Sequence, residues 1–164
     1  MDNIYLKVTF DFIHVMATII WFGSMFSFFA LVKPAMENLL DSAQQDEFMM
    51  KLMSKLKIVV YISFALLFIT GIPMKIANDN YVSIINFSNN WQITSFIKHV
   101  FVALLGLLTL YNFEVYPRLF KKVILENNPV KKEKLRNLKA LSGRLSMVIS
   151  VIVILLSAIM KYIE

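Results

Sequence analysis

His14 and His99 are the only histidines in the chain, and each lies a short way into a long apolar run. Imidazole is the one strong soft-metal ligand available, because the absence of cysteine removes thiolate sites, disulfides and thiol nucleophiles. A single histidine in a membrane helix is commonly a packing residue bonded to a neighbouring helix. Two at one depth point further, since ionisable groups inside a bilayer are costly and tend to mark function. Whether the pair is level depends on the elements that carry it.

Those elements are membrane helices. The 164 residues are 58% apolar, enough for one small integral membrane domain over 1–164 and too few for a second. Crossing a hydrocarbon core takes roughly 20 apolar residues in a helix, because no water is present to satisfy free backbone groups. Four runs qualify, over about 10–32, 58–74, 93–116 and 144–161. Gly71 and Pro73 are expected to end the second, and Arg144 and Lys161 flank the fourth with stems that snorkel. The fold class is therefore all-α, an integral membrane four-helix up-and-down bundle.

Basic residues set its direction. Lys33–Lys57 and Arg118–Arg144 hold most of the Lys and Arg, against single lysines at Lys7, Lys75 and Lys161, so these two loops face the cytoplasm and both termini are extracytoplasmic. The formal charge of +6 thus reads as topology rather than nucleic-acid binding. The run Lys131–Lys139 also meets anionic headgroups. Helical spacing of Phe48, Leu52 and Leu56 carries the first cytoplasmic loop into the second span, and Asn127-Asn128-Pro129 marks a turn before the fourth. A cleaved signal peptide is disfavoured by two early aspartates and the length of the first apolar run.

With helices one and three both running inward, His14 and His99 lie roughly 6 and 9 Å below the outer boundary at 1.5 Å per residue. If those helices are diagonal in a bundle they stand roughly 12–14 Å apart, a span that a metal or a flat macrocycle held by two imidazoles fills. His14, Ala17, Thr18 and Trp21 share one face, and His99, Ala103 and Gly106 another, which leaves room below each histidine for a porphyrin. The alternative is that both histidines are bonded packing residues and that Gly23, Ser27 and Gly106 serve close helix approach. Lys98 snorkels outward or pairs with a haem propionate or Asp11, and Glu114 pairs with Arg118 or Arg144.

The stretches FIHVMATIIWFGSMFSFFALVKPAM, SFIKHVFVALLGLLTLYNFEVYPRL and GRLSMVISVIVILLSAIM resemble, in order, helices of the copper-resistance protein D family. His14, Trp21, Gly23, Lys98 and the Pro117-Arg118 pair are the matching positions, and the resemblance implies copper uptake or tolerance. A more distant likeness is to HemJ-type protoporphyrinogen oxidases, haem-binding membrane proteins with a similar histidine-to-tryptophan spacing. Their pattern departs from this chain after the tryptophan, where FFALVKPAM stands in place of an arginine-containing stretch with a further histidine.

The expected function is that of a small b-type cytochrome in a prokaryotic cytoplasmic membrane. His14 and His99 ligate one haem b, with Ala17, Thr18, Trp21, Lys98, Ala103 and Gly106 around it, and electrons pass to or from a quinone or a periplasmic redox protein. A copper carrier using the two histidines and methionines such as Met74 is the alternative cofactor reading, and a haem-dependent porphyrin oxidase is the enzyme reading. A homodimer is open, and no nucleic-acid partner is expected. No phosphate loop, serine triad, paired carboxylate or zinc motif is present, which sets hydrolase and nucleotide chemistry aside.

Overall fold

A computed structural model describes residues 3–83 and 85–163. Every long helix begins where a short polar side chain can satisfy its first free N–H groups. Asn3 accepts from Tyr5 N at 2.9 Å and opens α1 (Ile4–Ser27). Asp41 opens α3 (Ser42–Ile76) with a capping box, taking Ala43 N and Gln44 N while the Gln44 side chain takes Asp41 N. Asn89 accepts from Gln92 N at 2.7 Å at the head of α4 (Asn90–Leu110). Asn128 does the same for Lys131 N before α6 (Pro129–Ile159), whose first residue is a proline with no N–H to waste.

Two helices do not end where hydropathy ends. Between α1 and α2 (Lys33–Leu39), Phe28–Val32 winds as one wide π-turn, and Tyr111–Val115 does so between α4 and α5 (Tyr116–Leu125). In each, the backbone N–H closing the turn reaches five residues back, from Lys33 to Phe28 and from Tyr116 to Tyr111. A proline follows directly, Pro34 in one case and Pro117 in the other. Its ring would strike the carbonyl four residues earlier, and widening the turn relieves that clash without breaking the helix.

Four helical stretches are long and apolar enough to cross a membrane: Ile4–Leu39, Ser42–Ile76, Asn90–Leu125 and Pro129–Ile159. No strand occurs among the described residues. The chain is an all-α, multi-pass integral membrane protein, as the sequence predicts. Each helix is longer than its predicted span because the amphipathic loops continue it. Pro73 does not stop α3 as expected, since its carbonyl still accepts Ala77 N at 2.9 Å and one further turn forms.

The chain divides into two compact units, Met1–Tyr81 and Val82–Glu164. In the first, α1 packs against α3; in the second, α4 packs against α6, with α5 continuing the contact. The turn between α5 and α6 holds Asn127 at φ 50°, a left-handed position that asparagine tolerates. Beside it Lys131 donates to Glu126 at 2.9 Å, and that hydrogen bond holds the Glu126 carboxyl below its ordinary pKa.

Candidate functional site

His14 stands half-buried on the face of α1 that meets α3. The Thr70 hydroxyl donates to the Leu66 carbonyl at 2.7 Å, so its oxygen is left to accept, and His14 Nδ1–H donates to it at 2.8 Å. Nδ1 of His14 is therefore the donor of this pair. Gly71 lets the ring lie this close. A Cβ there would stand 3.2 Å from His14 Cε1 and 3.7 Å from Nδ1.

His99, in the other unit, also donates from Nδ1. Its Nδ1–H meets the Ser95 carbonyl one turn back, an acceptor that has no proton to give. Metal-bound histidines are held in this way, with the second ring nitrogen fixed by a hydroxyl, carbonyl or carboxylate.

The surroundings of the two histidines differ. Room for a macrocycle was expected along His14, Ala17, Thr18 and Trp21, yet that face is a packed seam. Ala17 is 1% exposed, Trp21 meets Phe64 edge-on at 5.4 Å, and the Thr18 hydroxyl is turned back onto the His14 carbonyl at 2.8 Å. Sequence spacing identifies a face of small residues but not its neighbour, and a small residue suits a close helix as well as a ligand. On α4 the expectation fares differently: Ala103 is exposed, and a Cβ on Gly106 would have nothing within 4 Å. Lys98 is half-buried on the same helix.

Outward of His99, α4 carries a polar feature that spacing did not single out. Gln92 is 1% exposed, and its Nε2 has no hydrogen-bond partner among the described residues. A buried amide donor without an acceptor costs about 1–3 kcal/mol. It lies two turns from His99, roughly 10 Å along the axis, on the face that also carries the fully buried Ser95. Such a donor suits a carboxylate or carbonyl oxygen brought by a ligand.

Thr70 was also missed, because a hydroxyl in an apolar run signals nothing until the register of α1 on α3 is known. Were His14 to hold a metal, Thr70→Val, which keeps the shape and removes the acceptor, would be expected to lower the affinity by about 10- to 100-fold. Retention of haem through a desalting step measures this, and retention equal to the wild type would remove Thr70 from the site. Gly71→Val is expected to push the ring off Thr70 and act in the same direction.

No protein-family model, curated protein or solved structure matches the chain. The site therefore stands on its own chemistry. Among the described residues no three His, Asp or Glu side chains gather as a metal-binding group.

Proposed function

We propose that the protein is a small b-type cytochrome in which His14 and His99 would hold one haem b. The observation that supports this reading is a shared hydrogen-bond pattern: Nδ1 of each imidazole is the donor, to Thr70 Oγ1 and to the Ser95 carbonyl, as in metal-binding histidines. The haem would supply reversible one-electron chemistry. The chain's part is to orient the two rings, through Thr70 on one side and the Ser95 carbonyl on the other, and to offer the Gln92 amide to a propionate.

The alternative is a copper carrier in which His14, His99 and methionines such as Met74 would bind Cu(I), for which imidazole and thioether are suitable ligands. On the cytochrome reading the protein resides in a prokaryotic cytoplasmic membrane, with a quinone or a periplasmic redox protein as electron partner. The test is an absorbance spectrum of protein purified after expression with ample haem. A protein without a Soret band under those conditions would end the proposal.

A further inference from the structure

A second polar cluster lies in the unit formed by α4, α5 and α6, and the cytochrome reading makes no use of it. Lys139 Nζ donates to Asn112 Oδ1 at 2.9 Å and lies over the rings of Phe113 and Tyr116, 5.8 and 5.4 Å from their centroids. Ser142 Oγ donates to the same Asn112 oxygen at 2.7 Å, so both lone pairs of that oxygen are taken. The Asn112 amide is 7% exposed and sits in the wide turn before Pro117.

Lys139 has two further N–H groups, and no carboxylate or second acceptor meets them among the described residues. A half-buried ammonium without an anion is poorly compensated, since the ring faces and one neutral amide replace only part of its lost hydration. By contrast Arg118, six residues after Asn112, has its own carboxylate in Glu114 at 3.2 Å.

The place of the cluster in the chain says which anion would come. Tyr116, Phe120 and Val123 are buried on α5 while Arg118, Lys121 and Lys122 are exposed, so the apolar helices turn basic at this level. The positive-inside rule puts that level at the cytoplasmic headgroups.

We propose that Lys139, held by Asn112 over Phe113 and Tyr116, binds a phosphate oxygen of an anionic phospholipid in the inner leaflet. The amide fixes the ammonium in place, the rings exclude water from one side, and the two remaining N–H groups meet the phosphate. This differs from diffuse attraction to a basic loop because one lysine is singled out by its partners.

The test is native mass spectrometry of the full-length chain in detergent, titrated with phosphatidylglycerol or phosphatidylcholine. Phosphatidylglycerol is expected to bind more tightly. Lys139→Gln should weaken it by about tenfold, as loss of one charge-assisted hydrogen bond implies, while Lys139→Arg keeps most of the affinity. Lys121→Gln, on the exposed side of α5, should leave it unchanged. Equal binding of both lipids, or equal loss in the Lys121 and Lys139 variants, would overturn the site. Displacement of the lipid by millimolar inorganic phosphate would overturn the lipid as its source. The arginine variant shows whether a loss in Lys139→Gln reflects the charge or the fold.

Discussion

Wild-type protein loaded with haem is expected to give a six-coordinate spectrum that carbon monoxide leaves unchanged in the reduced state, and His14→Ala and His99→Ala are each expected to abolish that state. The argument rests on the ring nitrogens. Each Nδ1 is already committed, to Thr70 Oγ1 in one unit and to the Ser95 carbonyl in the other, so a ligand role would fall to Nε2. His14 and His99 would together hold the haem, and removal of either would leave it open to an exogenous ligand. Each single variant should therefore lose haem or become reactive to carbon monoxide, and the double variant should show no Soret band. Single variants with wild-type spectra would refute the ligand assignment. A wild type that already binds carbon monoxide would instead favour a haem enzyme with an open position.

Trp21→Ala is expected to destabilise the first hairpin by about 3–5 kcal/mol, the usual cost of truncating a large buried aromatic side chain. Water does not drive packing between helices in a bilayer, so the loss is one of van der Waals contact rather than of apolar burial. Trp21 is 7% exposed, its ring stands edge-on to Phe64, and one turn away Ala17 is fully enclosed. A hole at Trp21 is therefore walled by Phe64 and by the enclosed seam at Ala17. Phe12, on the same helix but 65% exposed, faces away from the seam, and Phe12→Ala should change stability by no more than about 0.5 kcal/mol. Unfolding midpoints of the detergent-solubilised variants measure both. Equal shifts would mean that the seam is not where the hairpin gets its stability.

Much of the scaffold could be read from local signals. Apolar run length predicts the four spans, the Asn127-Asn128-Pro129 turn predicts the start of α6, and i,i+4 spacing predicts the Glu114–Arg118 pair. Each depends on residues within a few positions of one another. What escaped depends on register between helices. Thr70 lies 56 residues from His14, and Lys139 lies 27 from Asn112, so neither bond has a signature in sequence. The serines of α6 are an intermediate case. Ser142, Ser146 and Ser150 recur every fourth residue in an apolar run, and this spacing marks the buried face of that helix. The wide turns at Phe28–Val32 and Tyr111–Val115 were hidden because hydropathy averages over them; only Pro34 and Pro117 hint at their place.

Those two turns carry a consequence for how the chain is divided. Each hairpin has the same parts in the same order: an asparagine-capped helix bearing a histidine, a wide turn, a proline, a short amphipathic continuation and a long return helix. Among the described residues no helix crosses from one hairpin to the other, and the link between them runs from Ala77 to Asn89. The protein is thus modular at the level of half its length. A nick between Tyr81 and Val82 would sever no helix, leaving two polypeptides, each with its own cap, its own hinge and one imidazole.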